Sequence, residues 1–392
     1  MTTGPGRAAF PASPAQKLLR PAVAAATLLL VLLPALVVVQ HLGAPPHPGE
    51  RERVVRAVAA APGARVVDGE VARSFYRSAL RNVPIDAKDP AAPWLPRARL
   101  AQVFGVFALA GLLYTAVLLA GDRLRALLAC AWFALLPPVL GEGHVLRAET
   151  PAALFGWLGL AVLLGLVAAE RRARGAAWRG FLIGGCALTA NGLAVAALPT
   201  FGVALLAPGV VLTLAALQLL LRSGRIVRRY GVSRWPYAAC NRRLLPWIGL
   251  ALATPVVALL ILTAVAPGAG EDGVAEAVAL AASSDAGLLP SAGPWRWALA
   301  ALLLLGGLGG VFRIGTEFGR RGRVTATVVL WVGVALMLAS TRQSAAVDVL
   351  PAAPAAAVVL AEGALWAVFL VRRLAQRSFA GRRRGLPVAS AR

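Results

Sequence analysis

The chain has 392 residues, 59% of them hydrophobic and only 15% charged, with a formal net charge of +23. Soluble domains carry about a quarter charged residues, and here the apolar residues fall in long blocks, so the composition excludes an ordinary soluble globular protein and points to a polytopic membrane protein. The positive charge does not argue for nucleic acid, because the arginines lie mainly between apolar blocks, where they set topology.

Residues 1–21 read as a short polar cytoplasmic tail with Arg7, Lys17 and Arg20. Residues 22–42 form the first apolar run. It is long for a signal-peptide core, and Gln40-His41-Leu42 is a poor small-residue cleavage site, so a retained anchor is expected. Further apolar runs follow at 101–120, 124–140, 152–169, 181–198, 200–221, 247–266, 295–312, 324–341 and 351–371, which with the first makes ten. Each is near the roughly 20 residues a bilayer core requires. Pro137-Pro138 is expected to end or break the third helix early. A basic tail, 372–392, closes the chain.

With the N-terminus placed inside, segments 1–21, 121–125, 170–180, 222–246, 313–323 and 372–392 hold 27 of the 40 basic residues. The loop 267–294 on the other side has four acids and no base. This asymmetry predicts an all-α integral membrane fold in the plasma (inner) membrane, with about ten spans and both termini cytoplasmic. The loop 43–100 is then outer. It carries ten basic residues, which long loops tolerate, and six acids: Glu50, Glu52, Asp68, Glu70, Asp86 and Asp89.

Two amphipathic helices are expected inside this loop. In 71–83, Arg73, Arg77 and Arg81 recur every four residues and line one side, with Ala72, Phe75, Tyr76, Ala79, Leu80 and Val83 mostly on the other. In 50–61, Arg51, Glu52, Arg53 and Arg56 alternate with Val54, Val55 and Val58. Both patterns suit helices lying at the interface, covering the bundle, and the arginine stripe also suits a phosphorylated lipid.

Three cysteines (Cys130, Cys186, Cys240) and three histidines (His41, His47, His144) are too scattered for a disulfide framework or metal cluster. Neither a metal nor another cofactor is called for. Asn191 and Thr189 suit hydrogen bonds between helices. The basic loop 222–246, with Tyr230, Trp235 and Tyr237, suits anionic lipid better than nucleic acid. The glycines around 306–310 suit close helix packing. Glu362 falls inside the last span, past its middle, where an acid is costly and is functional or paired.

Three stretches carry a resemblance. Pro96-Arg97-Ala98-Arg99-Leu100 runs into Phe104-Gly105-Val106, Leu113-Tyr114 and Gly121-Asp122-Arg123; Leu146-Arg147-Ala148-Glu149-Thr150-Pro151 precedes a span; and Thr341-Arg342-Gln343-Ser344 is followed by Asp348-Val349-Leu350-Pro351 and Pro354. With the long loop after the first span, the arrangement resembles the GT-C class of membrane glycosyltransferases, in particular the protein O-mannosyltransferase and lipid A aminoarabinose transferase families. The resemblance covers roughly residues 22–372. It implies transfer of a sugar from a polyprenyl-phosphate carrier to an envelope acceptor at the outer face, with membrane lipids and a lipid-linked donor as partners. An acceptor hydroxyl needs a carboxylate base, for which Asp68, Glu70 and Glu50 are candidates. The leaving phosphate needs cationic donors, for which Arg147 and Arg342 are candidates, with Glu149 orienting Arg147 or meeting the acceptor.

The families open this loop with Asp-Glu. By spacing to Arg97 the matching pair here is Gly49-Glu50, so the Asp is missing; Asp68-Gly69-Glu70 is the alternative. The family's Lys-Pro-Pro-Leu element survives only as Lys88-Asp89-Pro90 and Pro93-Trp94-Leu95. Either the active site has shifted within the loop or catalysis has been lost. A lipid or solute transporter and a non-enzymatic envelope-assembly component remain the rivals; few intramembrane charges and no clear internal repeat weigh against transport.

Overall fold

The computed structural model describes residues 14–45, 50–59, 70–81, 93–145, 149–170, 294–317, 324–340 and 352–384. These residues form helices and connecting turns, with no strand among them. In chain order the helices are α1 Pro14–Gln40, α2 Glu50–Ala59, α3 Glu70–Ala79, α4 Leu95–Ala120, α5 Arg123–Leu135, α6 Pro137–Glu142, α7 Glu149–Glu170, α8 Pro294–Glu317, α9 Val324–Ser340 and α10 Ala353–Arg384.

Seven of the ten expected apolar runs coincide with α1, α4, α5–α6, α7, α8, α9 and α10; the runs 181–198, 200–221 and 247–266 lie outside the described residues. Four described stretches are long and apolar enough to cross a membrane: Val23–Gln40, Leu95–Ala120, Pro294–Arg313 and Ala353–Gln376. Their outward faces carry Leu28, Leu29, Phe104, Leu304, Leu308 and Val368 in exposed positions. In water such a surface would be costly; against lipid it is the expected exterior.

Local chemistry sets the helix ends. Leu136, preceding Pro137, is extended (φ −71°, ψ 140°), as a residue before proline must be, so α5 stops there. Pro137 then starts α6, where its missing N–H costs nothing. At the other end of α5, the Asp122 side chain accepts a hydrogen bond from the Arg125 N–H at 3.0 Å and caps the helix.

α4 is the central helix, packed along α7, α5 and α1, with α3 and α9 against it. Leu109, Leu113, Phe133, Trp157 and Leu164 are fully buried along these contacts. α8 and α10 cross with their backbones touching at Gly306 and Gly363. A side chain on either glycine would collide with a carbonyl of the other helix, that of Val359 or Leu302. Small residues permit such approach where van der Waals packing must hold helices together.

The loop after α1 folds back as α2 and α3, close to the expected boundaries. α2 packs on α3, and α3 packs on α4 and α7. One expectation is corrected here. Arg73 does not join Arg77 and Arg81 on an outer stripe; it is buried with Tyr76 and Leu80, while Arg81 is exposed and Phe75 half-buried. Positions i, i+3 and i+7 share a helix face, and tertiary packing selected this face over the more apolar alternative.

Candidate functional site

The first turns of α4 organise the end of the bundle that carries the loop. Leu95, Ala98, Arg99, Gln102 and Val106 form its buried face, and Arg97 points outward, exposed. Arg99 is fully buried. Its Nε and Nη2 donate to the two carboxylate oxygens of Glu50 at 3.2 and 2.7 Å, a bidentate pair. Nη1 also donates to the Leu42 and Ala44 carbonyls (3.1 and 2.6 Å), and Nη2 to that of Pro45 (3.2 Å). One guanidinium therefore joins the exit of α1, the first residue of α2 and the second long span.

One turn further on, Gln102 Nε2 donates to the Thr150 hydroxyl in the first turn of α7. Gly105 makes this approach possible, because a Cβ there would lie 2.7 Å from Thr150 Cγ2. At the same end the rings of His41 and His144 stack with centroids 5.6 Å apart, and Nδ1 of His41 lies 3.0 Å from the Val37 carbonyl. Of the eight buried polar or charged side chains among the described residues, six gather here: Glu50, Arg73, Arg99, Gln102, His144 and Thr150.

The opposite end is tied differently. Glu362 Oε2 accepts from Arg125 Nε at 2.8 Å and lies 3.5 Å from Arg313 Nη1, so one acid on α10 joins α5 and α8. Arg125 also pairs with Asp122. Thr327 and Arg313 donate to the Ala120 carbonyl at the end of α4, at 3.3 and 3.4 Å. Arg123 donates to the Val23 carbonyl and the Thr27 hydroxyl of α1. Partial burial pushes the Asp122 carboxyl up, but the hydrogen bonds and charge of Arg125, with Arg313 behind it, outweigh this and hold it below its ordinary 3.8.

Of the residues singled out in the sequence, Glu50 is placed in full, locked to Arg99. Glu70 opens α3 and Glu149 opens α7, but their side chains lie outside the described residues, as do Asp68, Arg147 and Arg342 altogether. Among the described residues no three His, Cys, Asp or Glu side chains converge as a metal-ligand set. Arg99, Gln102 and Thr150 were missed as site residues. The available signal was a polar pair, Arg99 and Gln102, falling on the same stripe as Leu95 and Val106 in an otherwise apolar span.

The described helices make this an all-α membrane protein with a polar site buried at its loop end. No family model matches the sequence, and no curated protein matches it. Among solved structures, the Archaeoglobus fulgidus oligosaccharyltransferase tethered to an acceptor peptide containing the NVT sequon matches with a TM-score of 0.50 and 14% identity, over 89% of this chain and 50% of that one. The archaeal oligosaccharyltransferase AglB from Archaeoglobus fulgidus, in complex with an inhibitory peptide and a dolichol-phosphate, matches with a TM-score of 0.49 and 13% identity, over 93% and 52%. The chain spans about half the length of these proteins. At such identity the likeness establishes the fold, a GT-C-type fold, as the sequence resemblance implied.

Proposed function

We propose that this protein is a membrane glycosyltransferase that moves a sugar from a polyprenyl-phosphate-linked donor to an acceptor at the loop end of the bundle, on the outer face of the plasma membrane. The observation that carries this reading is the concentration of buried polar side chains at that end, in a fold shared with an oligosaccharyltransferase. Buried polar groups are expensive in a membrane protein and mark functional regions.

The bidentate pair of Glu50 with Arg99 supports a division among the candidate acids. Both Glu50 oxygens accept from Arg99, so Glu50 holds the loop in place and is a positioning residue. The base then falls to Asp68 or Glu70, the latter opening the helix that packs on α4 and α7. Arg147 and Arg342 meet the leaving phosphate and Glu149 orients Arg147. A specific feature favours a second reading: Gly49, where the resembling families carry Asp, supports a member that keeps the scaffold without the chemistry.

The test is transfer of labelled mannose, glucose or arabinose from polyprenyl-phosphate carriers by membranes carrying wild type, Asp68→Ala or Glu70→Ala. Loss of roughly 100-fold or more in one well-expressed variant supports the enzyme and locates its base. Transfer that is equal in both variants and wild type moves the base elsewhere; no transfer by wild type with any donor favours the degenerate member.

A further inference from the structure

On α4 and its cap residue, two buried polar atoms at the loop end have no hydrogen-bond partner among the described residues. One is Oε1 of Gln102, whose Nε2 is already bound to Thr150; the other is Nε1 of Trp94, just before α4. Turning the Gln102 amide over changes which atom is left unsatisfied, not the fact that one is. A buried unpaired polar atom costs free energy, so its persistence asks for a partner outside the chain.

We propose that Gln102 and Trp94 recognise the hydroxyl groups of a sugar ring at the loop end of α4; this deepens, and rests on, the glycosyltransferase reading. The chemistry selects an uncharged polyhydroxyl group. A hydroxyl accepts from the indole N–H, and it meets an amide as either donor or acceptor. The indole also offers an apolar face with a polar edge, suited to the C–H face of a ring. Eight residues along a helix correspond to about 12 Å of rise and about 80° of rotation, so the two long side chains stand on one side of α4. Gln102 is also the residue that α7 leans on through Thr150, which places sugar recognition beside the helix opened by Glu149.

Other indole N–H groups lack partners among the described residues, but elsewhere: on Trp157, two turns beyond Thr150 along α7, and on the half-buried Trp331, toward the opposite end against Gly310. Trp331→Phe is therefore the control.

The experiment measures binding of three kinds of probe to the full-length protein in detergent, by ligand-induced shift of thermal unfolding. The probes are bare polyprenyl phosphate, the same lipid bearing mannose, glucose or arabinose, and the free methyl glycosides. The variants are Trp94→Phe and the pair Gln102→Leu with Thr150→Val, which removes both halves of the internal bond so that no new orphan is left. The expected result is a preference of wild type for one sugar-bearing lipid over the bare lipid. That preference falls roughly ten-fold in each variant, with bare-lipid binding and unliganded stability retained and Trp331→Phe unchanged. If the discrimination appears only with methyl glycosides, the recognised ring belongs to the acceptor. If the sugar-bearing lipid is preferred and the variants keep the preference, this inference falls while the glycosyltransferase reading stands. If wild type distinguishes no sugar at all, both fall.

Discussion

Each end of the bundle holds a buried carboxylate gripped by arginine, and the two clusters differ in how well they could survive being broken. At the loop end Glu50 and Arg99 have side chains fully withdrawn from solvent, and all five N–H groups of the guanidinium are spent on Glu50 and three carbonyls. At the other end Glu362 is buried, but its partners Arg125 and Arg313 keep 26% and 12% of their side-chain surface exposed, and Asp122 is half in solvent. The first cluster has no route to water; the second has one. The difference teaches that a sealed pair fixes one geometry of a loop, whereas a vented pair ties helices with some give.

The largest effect is expected from Arg99→Met. It strands the Glu50 charge and frees the carbonyls of Leu42, Ala44 and Pro45, and removal of one member of a buried pair costs about 3–5 kcal/mol. Thermal unfolding in detergent should fall accordingly, and limited proteolysis should cut the chain at α2 and α3. Glu50→Leu with Arg99→Leu should recover much of the loss, since replacing both charges by apolar groups removes the desolvation penalty. A double variant as unstable as the sum of the singles would show that the pair does not act as a unit.

Glu362→Gln should cost less, roughly 1–2 kcal/mol, because Arg125 retains Asp122 and both arginines have partial access to water. Unfolding of this variant beside Arg99→Met sharpens the comparison: equal losses would mean that the second end is as sealed as the first. The proposed transfer activity separates them too. Arg99→Met should lose it with the loop, while Glu362→Gln should retain most of it.

Much of this arrangement could be read from the residues, and the failures have a common cause. Seven apolar runs coincide with helices because hydropathy averages over twenty residues and tolerates local errors; the break at Pro137 followed from the extended backbone that a proline imposes on the residue before it. Both loop helices were legible because their patterns are local. Choosing between Arg97 and Arg99 was not local. Two residues apart on a helix they face nearly opposite ways, and only the direction of the neighbouring elements decides which is buried. Arg73 failed in the same manner. Glu362 announced that it needed partners, but Arg125 lies 237 positions away in the chain, and no spacing rule reaches that far.

The smallest expected effect concerns Asp122 and acid. Its carboxyl is held below its ordinary 3.8, so the folded state binds this proton less readily than the unfolded chain does. The contribution to stability is therefore fully present above about 3.8 and is lost as pH falls through the lowered folded value. Because Asp122 is 49% exposed, screening keeps this term small. Asp122→Ala should cost about 1 kcal/mol at neutral pH through the lost cap of α5, and the difference from wild type should shrink below pH 4. Asp122→Asn, which keeps a capping oxygen, should sit between the two at neutral pH and show no acid-dependent loss of its own. If wild type and Asp122→Asn lose stability in parallel between pH 5 and 3, the cap acts through shape alone and the Arg125 charge contributes nothing there. The vented end would then be held by Glu362 and its two arginines without help from the turn that precedes α5.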